Sequence, residues 1–251
     1  MLFTMQEKVA PSGETGVVHP METLEGVCAD AWPAVVRRDL GDWRMRAAGG
    51  YTGRANSTLA IGDPGLPLHR ALDTVVAFSR EHGIRPYLQV VSGSPVEEDL
   101  TDHGWRANTA HAKGAETYVL VGPTRPAPGD VRDTPPPGWL EVAVGGVPTR
   151  AQEHVLTTGP RVGFATVWDG DAIAGIARGC VVGAYLHVAV LEVRPEHRRR
   201  GHGAALLAAL DHWAGTPYRV LQVTTANTAA VALYRRENLT ESHRYRYWVG
   251  D

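Results

Sequence analysis

The chain has 251 residues, 43% hydrophobic and 21% charged, the balance of an ordinary globular protein. Lys and Arg total 25 against 27 Asp and Glu, a formal net charge of -2, which excludes a general pull toward nucleic acid or an anionic membrane. No apolar run nears the ~20 residues of a membrane span, and the N-terminal MLFTMQEKVAPSGETG lacks a basic stretch followed by an apolar core, so the expected setting is cytoplasmic.

Residues 1–19 read as a mobile tail. The aromatic and polar stretch Trp43–Asn56 suits a strand pair in a core or the wall of a cleft. Arg54–Ile61 reads as a strand, and Leu68–His82 as a helix that Gly83 ends as a C-cap. A strand at Tyr87–Val91, a helix at Pro95–His103 and a strand at Ala115–Val121 follow. From Gly122 to Gly138 the chain is rich in proline, which fixes φ and removes amide donors, so helix and central strand are both disfavoured. Residues 123–137 are therefore read as a linker between a segment 20–122 and a segment 138–251.

In the second segment Trp139–Val144 reads as a strand and Thr149–Thr157 as a short helix. Gly163–Trp168 and Ala172–Val182 form a hairpin, with Asp169-Gly170 supplying the positive-φ turn. Tyr185–Val193 is an apolar, β-branched strand that Pro195 ends. Gly203–Trp213 carries strong helix formers with apolar residues at helical spacing. Tyr218–Thr224 is a strand, Asn227 an N-cap for a helix at Thr228–Arg236, and His243–Val249 a closing strand. The order β-α-β-β-β-α-β-α-β predicts an α/β mixed sheet with helices on its faces. The first segment repeats the end of this order. Tyr87-Leu-Gln-Val90 and Val220-Leu-Gln-Val223 both stand between two helices, which reads as an internal duplication.

The most informative stretch runs from Val193 to Ala204, VRPEHRRRGHGA. It sets Arg198, Gly201 and Gly203 in an R-x-x-G-x-G pattern between a strand and a helix. The glycines permit a sharp turn and close backbone approach. The helix that follows begins with unpaired amides at the positive end of its dipole, a site suited to pyrophosphate. Arg198, Arg199 and Arg200 add charge at the rim. This stretch resembles motif A of the GNAT acetyltransferase superfamily. Asn227-Thr-Ala-Ala-Val-Ala-Leu-Tyr234 resembles motif B, with Asn238-Leu239 in place of the usual Gly-aromatic pair. Asn tolerates left-handed backbone much as glycine does. The resemblance covers residues 139–249, and the two-segment order is similar to that of tandem GNAT proteins.

The resemblance implies a GNAT fold with a degenerate first lobe and an intact second lobe, and acetyl-CoA as co-substrate with an amine as acceptor. It implies that Arg198, Arg199, Arg200, Gly201, His202, Gly203 and Ala204 cradle the coenzyme. A backbone amide of the strand end Leu191–Val193 is implied to serve the thioester carbonyl. Tyr234 stands where the family places its general acid. Glu192 and His187 both stand where relatives place a base, with a water chain to bulk solvent as the remaining route for the proton. They are five apart, so a regular strand turns them to opposite faces and a bulge restores one face. Asn227 contacts the coenzyme, caps its helix, or does both. No residue pattern calls for a metal, and the chain is expected as a monomer or homodimer.

In the first segment, Gly62-Asp-Pro-Gly65-Leu-Pro-Leu stands where the second has its arginines, and its acid would repel a pyrophosphate. Leu100 or Thr101 stands in place of Tyr234. This lobe is therefore expected to pack and to wall the substrate cleft. Cys28 and Cys180 form no CxxC pair and read as buried thiols. Two other readings stay open: a GNAT-fold sensor that binds acyl-CoA without turnover, and a nucleotide-phosphate protein of another fold. The absence of a G-x-x-x-x-G-K-[ST] run speaks against the last.

Overall fold

A computed structural model describes residues 18–110 and 114–250. Most of the expected tail, residues 1–17, lies outside the described residues. His19 is held in place, with Nδ1 2.9 Å from the Tyr185 hydroxyl.

The first described element is a helix, α1 (Met21–Ala31), in a stretch for which the sequence reading assigns none. Its Leu24, Val27 and Cys28 pack against Val119, Val121, Val220 and Tyr245 of the sheet. The first lobe continues with β1 (Val36–Leu40), β2 (Trp43–Ala47), β3 (Thr58–Leu59), α2 (Leu68–Glu81), β4 (Tyr87–Val91), α3 (Pro95–Asp99), β5 (Arg106–Ala107) and β6 (Glu116–Pro123). After the proline-rich stretch come α4 (Trp139–Val144), α5 (Arg150–Thr157), β8 (Val162–Asp169), β9 (Ala172–Val182), β10 (Tyr185–Val193), α6 (His202–Ala214), β11 (Tyr218–Thr224), α7 (Thr228–Arg236) and β12 (Thr240–Val249). The proline-rich stretch itself contributes β7 (Asp130–Arg132), an edge strand against β8, the one sheet position that proline-rich chain tolerates.

All strands join one 12-stranded mixed sheet in the order β1-β2-β3-β4-β12-β6-β11-β10-β9-β8-β7, with β5 on β12. The order has an internal symmetry. In the first lobe β3 pairs parallel with β4, and β4 pairs antiparallel with β12. In the second lobe β10 pairs parallel with β11, and β11 pairs antiparallel with β6. The registers match: Thr58 faces Leu88 as Val188 faces Leu221, which sets Gln89 and Gln222 in equivalent places. The duplication read from the Leu-Gln-Val repeat is thus present in the sheet. Each lobe is completed by the last strand of the other, and β6 and β12 pair antiparallel at the centre. The boundary read at the prolines divides the sequence but not the sheet.

Three elements differ from the sequence reading. Trp139–Val144 is a helix, not a strand. Period alone cannot assign so short an apolar run. Here Gly138 and Gly145, at φ 81 and φ 71, bracket one and a half helical turns, and Trp139 buries against Phe164 while its indole donates to the Ala165 carbonyl. Arg54–Ile61 is a strand only at Thr58–Leu59. Its start is a 3-10 turn, Gly53–Ala55, because the Asn56 side chain binds the loop before it. Asn56 Oδ1 accepts from the Ala48 and Gly50 amides, and Nδ2 donates to the Tyr51 and Thr52 carbonyls. The helix expected at Pro95–His103 is α3 followed by a 3-10 turn, closed by Gly104 at φ 79.

The helices α6 and α7 cover one face of the second lobe, around Leu186, Val188, Leu221 and Val223. The opposite face is covered by α1, α4 and α5. Cys28 and Cys180 are buried and unbonded. A fully buried pair ties α6 to β11: Arg219 Nη1 donates to Asp211 Oδ2 at 2.8 Å, and the Arg125 amide donates to the same oxygen. Burial pushes the Asp211 carboxyl up and the Arg219 guanidinium down, so each depends on the other. Removing one partner strands a charge in the core, which costs about 3–5 kcal/mol. Arg219→Met is therefore expected to lower unfolding free energy by about that amount in urea titrations, and Asp211→Asn with Arg219→Met to recover part of it. Equal losses in the single and double variants would show that the pair is not coupled.

Candidate active site

β10 and β11 are hydrogen-bonded only from Tyr185↔Tyr218 to Val188↔Leu221. Beyond that point they part. β11 continues to Thr224 on β6, and β10 continues to Val193 on β9. The edges that face the gap are left with unpaired backbone groups. At the same place β10 carries a bulge between Ala189 and Glu192, with Val190 at φ 54. The bulge decides the parity question. His187 pairs with Cys180 and Glu192 with Ile176, two residues four apart on a regular stretch of β9, so both side chains lie on the α1 face. They differ in burial. His187 is fully buried, whereas Glu192 is exposed.

The strand β10 leads into the arginine-glycine turn. Pro195–His197 make a 3-10 turn, Arg199 stands at φ 64, and Gly201 at φ 83 is the N-cap of α6. The first helical bond runs from the Ala205 amide to the Gly201 carbonyl. The amides of His202, Gly203 and Ala204 therefore project from the helix start, and no side chain caps them. The first turn of α6 holds no acid. Gly203 is needed for a different reason from Gly201: a Cβ on it would meet Leu233 of α7 at 3.0 Å. Arg198, Arg199 and Arg200 are exposed around this opening, and Arg198 Nε folds back to donate to the Val193 carbonyl. Leu191 and Val193 pack toward α6. These features fit a pyrophosphate.

In α7 Asn227 is the N-cap, accepting from the Ala230 amide at 3.2 Å. Asn238 at φ 62 closes the helix, with amide bonds from Asn238 to Arg235 and from Leu239 to Tyr234. That is a Schellman closure, with asparagine in the glycine place. Between these caps Tyr234 is 7% exposed, and its hydroxyl has no protein hydrogen bond among the described residues. Burial pushes its pKa up to about 12, against the charges of Arg219 and Arg54.

The equivalent turn of the first lobe is occupied by its own carboxylates. The Asp63 amide donates to Asp42 Oδ2 at 2.9 Å and the Gly65 amide to Asp63 Oδ1 at 2.7 Å. Pro67, the N-cap of α2, has no amide to offer. Leu100, the counterpart of Tyr234, is fully buried.

A family described as "Probable histone acetyltransferase Rv0428c C-terminal" has a model that matches residues 20–248. The chain belongs to this acetyltransferase family. An uncharacterized N-acetyltransferase of Bacillus subtilis, YobR, is 25% identical over 244 residues, spanning 89% of this chain and 96% of that protein. A GCN5-related N-acetyltransferase from Kribbella flavida has the same fold at 15% identity, with a TM-score of 0.61 over 90% of this chain and 93% of the other. A tandem GNAT protein from the clavulanic acid biosynthesis pathway aligns with a TM-score of 0.57 at 15% identity, over 91% and 87% of the two chains. The fold is thus the GNAT fold in two lobes, which removes the reading of a nucleotide-phosphate protein of another architecture. Among the described residues no helix is long and apolar enough to cross a membrane, and no three His, Cys, Asp or Glu side chains are gathered to hold a metal.

The sequence reading of the site names neither Gln222 nor Trp32, and it takes in Arg54 only within Trp43–Asn56, the stretch read as a core strand pair or a cleft wall. Arg54 Nη1 donates to Gln222 Oε1 at 3.2 Å, and its guanidinium lies 4.8 Å from the centre of the Trp32 ring. No motif marks them. The repeated Leu-Gln-Val was the one signal, because Gln222 follows the last residue of β11 paired to β10.

Neither ring nitrogen of His187 has a partner. Burial, aided by the charges of Arg54 and Arg178, holds its pKa well below the ordinary imidazole value. The unfolded chain takes up a proton at His187 below pH ~6.5 and the folded one does not. The stabilisation is complete above ~6.5 and is lost as pH falls toward the folded value, at up to ~1.4 kcal/mol per pH unit. Between pH 7 and 5.5 the acetyltransferase is expected to lose about 1 kcal/mol more stability than its His187→Gln variant. Parallel urea titrations at the two pH values check this, and equal losses would place a proton on the folded imidazole.

Proposed function

We propose that the chain transfers the acetyl group of acetyl-CoA to a primary amine of a small molecule or protein, in a cytoplasmic setting. The observation that carries the reading is the uncapped start of α6 beside the β10–β11 gap, with Tyr234 of α7 buried in the cluster that packs on Leu186, Val188 and Leu221.

In this reading the amides of His202, Gly203 and Ala204 hold the pyrophosphate, with Arg198, Arg199 and Arg200 at its rim. The positive φ of Arg199 and Gly201 supports it by turning the loop around that point. Asn227 shapes the far side of the slot by capping α7. Bound acetyl-CoA would supply the activated thioester. A backbone amide of the Leu191–Val193 strand end, left unpaired by the gap, faces the developing oxyanion.

Tyr234 gives a proton to the departing sulfur. A phenol with a pKa raised to about 12 keeps its proton through the neutral range. Arg219 and Arg54 pull in the opposite direction and stabilise the phenolate as the proton leaves. Glu192 takes the proton of the acceptor amine, supported by its exposure and by its sharing a face with His187. His187 stays neutral and offers a ring nitrogen to the amine.

Two measurements test the proposal. Gly201→Asp places a carboxylate in open space at a position where Asp accepts positive φ, so the variant is expected to fold. Calorimetry should show its affinity for CoA lower by at least about 100-fold, the loss of charge-assisted hydrogen bonds to the phosphates. Tyr234→Phe should lower kcat for thiol release about 100-fold or more with little change in CoA affinity, in line with a lost general acid. Full CoA affinity in folded Gly201→Asp would remove the cradle assignment. Tight CoA binding without thiol release across a broad amine panel would instead favour a sensor.

A further inference from the structure

Arg46, Arg54 and Arg178 are all at least half-buried, and they differ in what their guanidinium groups have left to do. Arg46 is fully buried and binds the Ser57 carbonyl, the Ser57 hydroxyl and Gln89 Oε1. Arg178 is fully buried and donates to the carbonyls of Leu156, Ala31 and Thr158. Arg178 thus uses all three of its nitrogens on backbone carbonyls, and Arg46 uses Nε and Nη2. Arg54 is half-buried. Its Nη1 donates to Gln222, and Nε and Nη2 have no protein acceptor among the described residues. No carboxylate among the described residues lies within ion-pair distance of it.

The position of Arg54 adds meaning to that vacancy of partners. Gln222 lies one residue beyond Leu221, the last β11 residue bonded to β10, so the guanidinium is anchored at the mouth of the gap. Its charge acts on both His187 and Tyr234. It rests on the ring of Trp32, which fixes its plane. A guanidinium held by one nitrogen and stacked on an indole presents its Nε–Nη2 edge. That edge matches the two oxygens of a carboxylate side-on.

We infer that the acceptor is an amino acid or a close analogue: a primary amine with a carboxylate that Arg54 binds. The inference rests on the proposed acetyl transfer and names the acceptor class for the same site. The local field agrees with it. Two guanidinium charges, Arg54 and Arg178, act on His187, so this cleft disfavours a protonated amine and favours an anion. An acceptor with a carboxylate for Arg54 gains there what a bare ammonium would lose, and Glu192 remains to take its amine proton. The second lobe supplies the coenzyme cradle, and the first lobe supplies the anchor for the acceptor.

The test compares amino acids with their amides, which keep the same amine and side chain and lack the charge. With the full chain and acetyl-CoA, thiol release should favour at least one acid over its amide by about 10–100-fold in kcat/KM, the worth of a charge-assisted hydrogen bond. Arg54→Met should bring that ratio near one, and Arg54→Lys should restore part of it. CoA affinity by calorimetry should stay within about twofold in both variants. Titration of the preferred acid into the CoA-loaded protein should give binding heat that Arg54→Met abolishes. Thermal melts identify a variant that fails to fold, and Arg54→Gln then serves in place of Arg54→Met. CoA binding with no preference for any acid over its amide, including turnover confined to amines without a carboxylate, overturns this inference and leaves acetyl transfer standing. Failure of the wild-type chain to bind CoA overturns both.

Discussion

The pairing of β6 with β12 is the interaction on which the rest of the molecule depends. Each strand ends its own half of the chain and completes the sheet of the other half. Two lobes joined only by a proline-rich segment would be free to move against each other. Lobes that exchange their last strands share one hydrogen-bonded sheet, and their separation would break both cores at once. Buried polar groups add to the same joint. Glu25 of α1 accepts from Gln89 of β4 and lies 2.9 Å from His243 Nε2 of β12. The exchange fixes the 3-10 turn that carries Arg54 against β11, close enough for a hydrogen bond to Gln222.

The two lobes have the same strand order, and their difference lies in a few side chains at one turn. In the second lobe the turn before α6 has glycines, arginines and no acid, and its amides are left uncapped. In the first lobe Asp42 and Asp63 fill the corresponding turn, and proline takes the N-cap of α2. A carboxylate fixed on a loop amide does for the protein what a phosphate would do as ligand. It satisfies the donor permanently and closes the site. The first lobe thereby gains a stable turn whose loop amides at Asp63 and Gly65 are already satisfied.

What could be read from the sequence was what depends on neighbours in the chain. The turn at Arg198–Gly203, the caps Asn227 and Asn238, the hairpin at Asp169-Gly170 and the Asp63 turn of the first lobe are local, and the structure has each of them. The run Trp139–Val144 misleads because six apolar residues suit a strand or a helix equally, and the choice was made by Gly138, Gly145 and the Trp139 pocket. The strand exchange could not be read at all. Nothing in Glu116–Pro123 tells which β11-like neighbour it joins, since both halves offer an edge of the same kind. The reading of Trp43–Asn56 as core or cleft wall took in Arg54, but not its tie to Gln222, 168 positions away.

The cleft also shows how one field can serve several steps. Burial near guanidinium charges favours the neutral imidazole, so in the proposed transfer His187 would meet an acceptor as a neutral hydrogen-bonding group. The same charge of Arg54 reaches Tyr234 through the gap and offsets part of the cost of forming a buried phenolate. In the proposed transfer both effects would help: His187 would carry no proton toward the amine, and Tyr234 would have one to give to the sulfur. A lysine side chain without a nearby anion would enter this field as an ammonium and meet repulsion. In the proposed binding mode, an acceptor that carries its own carboxylate would pair with Arg54 on entering, and so be admitted where a bare ammonium is repelled. Discrimination among amines would then follow from the electrostatics of the joint between the lobes rather than from the shape of a deep pocket.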